Sequence, residues 1–310
     1  MRHHLKPARE TLHGHFSPDL PPALTIDDGD VVEFTTLDAR WNLAPMAAPG
    51  RAAQPFEPRQ AQLDAGHALT GPVHVRGADP GSTLAIEILR LDVGSWGWNS
   101  AGGFDSPVNR ALGIVDGERE WLLWALDRET MTGTDQHGHT VLRRPVLGVM
   151  GMPPAEPGVH RTAPPRVTGG NIDCKELVAG STLYLPVAVP GGLFSTGDGH
   201  AAQGDGEVST TAIECPMDRA ELRFRLAPDL RLTAPRAETP AGWITFGFAQ
   251  NLDEATTIAL RDMVELVAQI HDVGQREALA LASVTVDLHV TQIVNGVVGV
   301  HAILPHGAIR

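Results

Sequence analysis

Between Gly169 and Glu207 the chain gathers side chains that could do chemistry: Asn171 and Asp173, then, beyond an apolar run, Asp198, His200, Asp205 and Glu207. The last four fall within ten residues, interleaved with Gly197, Gly199, Gly204 and Gly206. Glycine alternating with acidic residues makes a poor helix and a poor strand, because glycine loses the most backbone entropy and packs nothing. Such a segment is better suited to wrapping an ion or a small ligand. Alternate residues of extended backbone share a face, so Asn171 is expected to converge with Asp173, Asp198 with His200, and Asp205 with Glu207. Imidazole with carboxylates suits Zn²⁺, and an all-carboxylate set suits Ca²⁺ or Mg²⁺. An open coordination position on such an ion would activate water for attack on a carbonyl. The bland alternative is a polar turn whose aspartates cap backbone amides.

Other candidates carry less. His13 and His15 are alternate residues of one extended stretch, His67 and His74 sit among Gly and Val, and His137 and His139 lie in a polar turn. Cys174-Lys175-Glu176 contains the residue types of a Cys/Lys/Glu amidase triad, but neighbours on extended backbone face opposite ways, so the three do not converge. Cys174 reads instead as a small buried residue. No GxSxG elbow, phosphate-binding loop or Ser-Ser-Lys pattern is present, which leaves covalent serine chemistry unsupported.

The elements that must position these residues read as mainly β. Composition is that of a folded chain, 42% hydrophobic and 20% charged, with 33 Gly and 24 Pro favouring short strands and tight turns. Strand patterns run through VVEFTT, PVHVRG and LAIEILRLDV, with a Pro80-Gly81 turn between the last two. Residues 40–66 and the Pro/Gly-dense 145–168 are expected as loops, the second lying over a site. Residues 208–214 and 220–226 read as paired strands. One helix is expected over 253–271 with Asp253 as N-cap, and a shorter one near 275–283 after Gly274. Asn295-Gly296 between two alternating runs marks a terminal hairpin. The expected fold is therefore an α+β, mainly β chain, sandwich- or barrel-like, with a helical C-terminal element. We read it as one domain over 1–310, with an N-terminal β part (1–145) and a catalytic β part (146–310).

A net charge of −13 offers no basic footprint for nucleic acid. Two cysteines, Cys174 and Cys215, make neither a disulfide framework nor a cysteine zinc motif. With no apolar run long enough for a membrane span and no signal-like amino terminus, the expectation is a cytoplasmic protein without membrane partners.

In order along the chain, HGHFSPDLPPALTIDDGDVV (13–32), GHALTGPVHVRGADPGSTLAIEI (66–88), GVMGMPPAEPGVHRTAPPRVTGGNIDCKEL (148–177), TLYLPVAVPGGLFSTGDGHAAQGDGEVSTTAIE (182–214) and DLHVTQIVNGVVGVHAILP (287–305) resemble the acetamidase/formamidase family. The GDGHAAQGDGE block is the most specific of these. The resemblance implies hydrolysis of a short aliphatic amide to carboxylate and ammonia, on a β-rich fold that assembles as a homo-oligomer and is associated with a divalent metal. By position it carries over His13, His67, Asn171, Asp173, Asp198, His200, Asp205 and Glu207. On that reading Asp173, His200, Asp198, His13 and His67 are metal ligands, Zn²⁺ first and Ca²⁺ or Mg²⁺ as alternatives. Glu207 is the general base, with Asp205 and Asn171 as further catalytic groups, Asn171 stabilising the oxyanion. A small pocket walled by Phe194, Met150 and Met152 is expected. The HGHF context after His13 and the segment 94–144 depart from the family pattern, and that segment is expected to border the pocket. Two rivals are a hydrolase of another small C–N compound and a non-catalytic metal-binding β-protein.

Overall fold

The alternating run Thr83–Val93 becomes the spine of a nine-stranded sheet, because one of its faces is apolar throughout and the other is charged. In the computed structural model, which describes residues 1–310, that strand pairs antiparallel with Met217–Ala227 and Thr182–Pro186. The sheet extends one way through Val31–Phe34 to Arg2–Leu5, its one parallel pair, and the other way through Arg236–Glu238 and Gly242–Ala249 to the terminal hairpin. That hairpin, Asp287–Gln292 with Val298–Pro305, encloses Asn295-Gly296 as the turn dipeptide required.

A second, eleven-stranded sheet carries the chemistry. At its centre Phe194–His200 lies between Val146–Gly151 and, on its other side, Leu69–Val75 and Glu214–Cys215. Val146–Gly151 also pairs with Gly169–Asn171. The two sheets share an apolar core in which Phe34 of the first meets Phe194 of the second at 6.3 Å between ring centroids, and Phe224 lies 5.1 Å from Phe194. Residues from both 1–145 and 146–310 build each sheet.

The helix Leu252–His271 lays Ala255, Ala259, Met263, Leu266 and Val267 on the strand Gly242–Ala249. Contact is close at Gly247, where a Cβ would stand 1.9 Å from the Ala255 carbonyl oxygen. Its N-cap is Asn251, whose side chain accepts from the Glu254 amide at 2.9 Å, and not Asp253, which lies inside the first turn. Gly274 caps the second helix, Gln275–Thr285.

Two further expectations are corrected. Residues 208–214 are mostly turn, and the residues expected to pair there end in different sheets: Glu214–Cys215 joins the second and Met217–Ala227 the first. The segment 145–168 opens with a buried strand, Val146–Gly151, before turning irregular. Within 94–118 the chain forms a strand, Trp96–Ala101, and a short helix, Pro107–Leu112.

Candidate active site

Asp198 and His200 lie on the wholly buried strand Phe194–His200 and converge as expected, although Asp198 itself takes a left-handed conformation at φ 56°. The neighbouring strand keeps room for them with a glycine. A Cβ on Gly148 would stand 2.5 Å from Asp198 Oδ2, 2.6 Å from Asp173 Oδ1 and 2.7 Å from His200 Cε1. Asp173 reaches the same point just beyond Gly169–Asn171, its backbone amide bonded to the Gly148 carbonyl at 3.3 Å. Glu214 arrives from the strand on the other side, paired directly with His200.

The ring of His200 is oriented by Gln203. Gln203 Nε2 donates to the Asp173 carbonyl, which turns its Oε1 toward His200 Nδ1 at 2.9 Å and makes that nitrogen the donor. His200 Nε2 therefore faces Glu214 Oε2 at 3.4 Å and Asp198 Oδ1 at 3.5 Å. Asp173 Oδ1 lies 3.9 Å from Nδ1, with its other oxygen bonded to the Asn295 side-chain amide. Glu207 completes the cluster beside Asp173 and His200.

Four carboxylates are thus buried around one imidazole, and no lysine or arginine pairs with any of them. Asn171 Oδ1, Asp173 Oδ1, Asp198 Oδ1, His200 Nε2, Glu207 Oε2 and Glu214 Oε2 are all buried without a hydrogen-bond partner. Burial pushes Asp173 up to about 6 and Glu214 up to about 8. Burial and the neighbouring Asp173 carboxylate push Glu207 well above the usual carboxylate range. Burial alone would lower His200, but Glu214 and Asp198 outweigh it and hold the imidazole well above its ordinary value. Asp198 stays below the carboxylate range despite its burial, because His67 and His200 favour its charge. Asp173, Asp198 and Glu207 also hold positive φ, at 51°, 56° and 44°, a backbone conformation uncommon for non-glycine residues and concentrated at functional sites.

This donor set fits a divalent cation. Lone pairs of nitrogen and oxygen converge, the charge is uncompensated, and Nε2 is the nitrogen left free by Gln203. Of the two groups of three that share His200, Asp198–His200–Glu214 is the one served by that nitrogen. The cluster opens into a cavity of about 620 Å³, whose inner wall carries Asn171, Asp198, Glu207 and Glu214.

The sequence profile of the Acetamidase/Formamidase family matches residues 1–159 and 155–306. This chain belongs to that family. It is similar to a formamidase from Methylophilus methylotrophus, 29% identical over 247 residues, covering 64% of this chain and 60% of that protein. It is also similar to an acetamidase from Mycolicibacterium smegmatis, 27% identical over 256 residues, covering 64% and 61%. The chain spans about three-fifths of the length of these curated relatives. Among solved structures, the acetamidase from Bacillus halodurans superposes with a TM-score of 0.84 at 28% identity, covering 97% of each chain.

Of the positions carried over from the acetamidase/formamidase pattern, Asn171, Asp173, Asp198, His200 and Glu207 come together, and His67 lines the cavity with its Nδ1 3.0 Å from Thr162 Oγ1. Two do not join them. His13 donates from Nδ1 to the His15 carbonyl at 2.6 Å and accepts at Nε2 from Ser195 Oγ at 3.0 Å, so neither nitrogen is free, and burial lowers it to about 4. Asp205 points away from Glu207, because Gly206 at φ 92° and Glu207 itself break the extended alternation. It binds Lys175 and His289 instead. Phe194, Met150 and Met152 are core residues rather than pocket walls. From the segment 94–144, Trp98 does border the cavity. Glu214, Gln203 and Asn295 were not foreseen. The one signal for Glu214 was an acid between apolar Ile213 and Cys215.

Proposed function

We propose that this protein is an amide hydrolase that releases ammonia from a small amide, with a divalent ion, Zn²⁺ first, held by Asp198, His200 and Glu214. The observation that carries this reading is the set of buried, unpartnered donors around His200 at the floor of a cavity. Such an ion polarises a carbonyl and acidifies water.

The chain's own residues do the rest. Glu207, whose affinity for a proton is raised by burial and by the neighbouring Asp173 carboxylate, accepts one from the attacking water and returns it to the amide nitrogen as the C–N bond breaks, giving carboxylate and ammonia. Asn171 presents its side-chain amide to the developing oxyanion. Asn295 and Gln203 hold Asp173 and His200 in place, and Asp173 sits against Glu207 to keep its affinity for the proton high. Cys174 takes no part: it is buried in the core, and burial pushes its thiol up to about 12.

The test is ammonia release from formamide, acetamide, propionamide and urea, before and after chelation and metal return. Activity on an amide that chelation abolishes and metal restores upholds the proposal. Activity indifferent to chelation removes the metal from it, and silence on every amide favours a non-catalytic metal-binding β-protein. No helix is long and apolar enough to cross a membrane. We also propose a cytoplasmic homo-oligomer. Its second copy would be seated on the edge strand Asp287–Gln292, where Leu288 and Val290 are exposed next to Val284, and light scattering tests the assembly.

A further inference from the structure

The cavity is far larger than a short amide needs. An amide of three or four heavy atoms occupies the space of two or three waters at roughly 30 Å³ each, and the cavity holds about 620 Å³. A volume of that size belongs with ligands several times larger.

Charge divides the cavity into two ends. Its acids, Asp198, Glu207 and Glu214, are buried at the floor, while Arg40, Arg59 and Arg161 are exposed at its mouth. Eleven of the chain's 24 lysines and arginines are ion-paired, as Arg9 is with Asp64 and Arg144 with Glu176. None of the three mouth arginines has such a partner. Two of them are held by aromatic faces. The Arg40 guanidinium lies 5.7 Å from the Trp98 ring and 5.2 Å from Trp121, and Arg59 lies 4.8 Å from Trp41. Trp98 is itself pinned, its Nε1 donating to Asp38 Oδ2 at 2.7 Å. Arg59 already donates from Nη2 to the Asp64 carbonyl, whereas no hydrogen bond engages the Arg40 guanidinium, whose planar edge matches a carboxylate with two parallel hydrogen bonds.

We infer that the mouth of the cavity is a carboxylate subsite, and that the substrate is an amide bearing a carboxylate at its far end, such as the monoamide of a dicarboxylic acid. This rests on the amidase reading for the inner end and on the arginines for the outer. The amide lies against Asn171 and Glu207, the carboxylate at Arg40 and Arg161, and the connecting carbons along Trp98.

The test compares kcat/KM for malonamate, succinamate and glutaramate with that for their methyl esters, in the wild type and in an Arg40→Gln/Arg161→Gln double variant. Calorimetric titration with glutarate as the probe runs alongside. The expected result is a preference of about ten- to a hundredfold for one of the acids, as for hydrogen bonds to charged groups. In the double variant that ratio collapses toward one and glutarate affinity falls about tenfold or more. Hydrolysis of neutral amides with no preference for the acids overturns the subsite and leaves the amidase standing. If no amide is hydrolysed, the amidase reading falls and calorimetry decides: arginine-dependent glutarate binding upholds the subsite, and binding that is absent or unchanged in the variant overturns it.

Discussion

Two clusters of histidine and carboxylate lie close together in this molecule and have opposite characters. Around His200, four buried carboxylates share one imidazole, and no fixed cation answers them. Around Asp205, two imidazoles share one carboxylate, and Lys175 answers it at 2.8 Å while His289 Nδ1 donates at 3.0 Å. His289 and His301 stack at 5.1 Å, and Thr291 Oγ1 meets His301 Nδ1 at 2.8 Å. Both clusters have the composition of a metal site. The difference is the counter-charge. A cluster with its own lysine is electrically complete and serves to tie the loop before Glu207 to the terminal hairpin, where Gly206 bridges Gln292. One without it must recruit protons or a cation, and is the one that opens into the cavity.

Mutations on the two sides should separate them. Glu207→Gln is expected to fold normally and lower turnover by about 10²–10⁴-fold, whereas Asp205→Asn should change turnover only severalfold. Comparable losses from both would erase the distinction. Elemental analysis makes the same contrast in metal content: His200→Ala should lose the bound divalent ion and His301→Ala should keep it.

The pH dependence of stability marks the second cluster. Burial lowers His301 from 6.5 to about 4, so the unfolded chain binds the proton more readily than the native one. Its contribution is complete above about pH 6.5 and is lost as pH falls toward 4, amounting to about 3 kcal/mol over that window at roughly 1.4 kcal/mol per pH unit. Denaturant melts at pH 7 and 4.5 should show a smaller acid loss in His301→Gln than in the wild type. An equal loss would place the acid sensitivity elsewhere, His13 being the other deeply buried histidine lowered to about 4.

Smaller effects follow from packing and pairing. Gly148→Ala should cost about 1–3 kcal/mol and weaken metal retention, since its methyl group meets Asp198, Asp173 and His200 at once. Asp205→Asn, whose site is partly exposed, should cost about 1 kcal/mol by leaving Lys175 and His289 without their acceptor. A thermal shift in Gly148→Ala no larger than that in Asp205→Asn would mean that the site tolerates the methyl group.

Much of this architecture was legible from residue order. Alternation identified Thr83–Val93, Asn295-Gly296 identified the hairpin, and a 3.6-residue stripe identified Leu252–His271, because each is a local pattern with one way to bury its apolar face. The convergence of Asp198 with His200 was legible from their two-residue spacing, although Asp198 itself is left-handed at φ 56°. Asp205 was not, because the prediction assumed extended backbone and the chain takes left-handed turns at Gly206 and Glu207.

The amino-acid sequence by itself determined the β-rich class, the acidic, glycine-spaced loop and the family to which the chain belongs, all of which are written in runs of neighbouring residues. Only the tertiary structure decided which donors meet. Glu214 faces His200 through cross-strand register, Asn295 reaches Asp173 across 122 positions, and Lys175 neutralises Asp205 across 30. Whether a buried carboxylate is answered by a lysine or left open to a cation depends on three-dimensional neighbours, and local spacing carries no record of them.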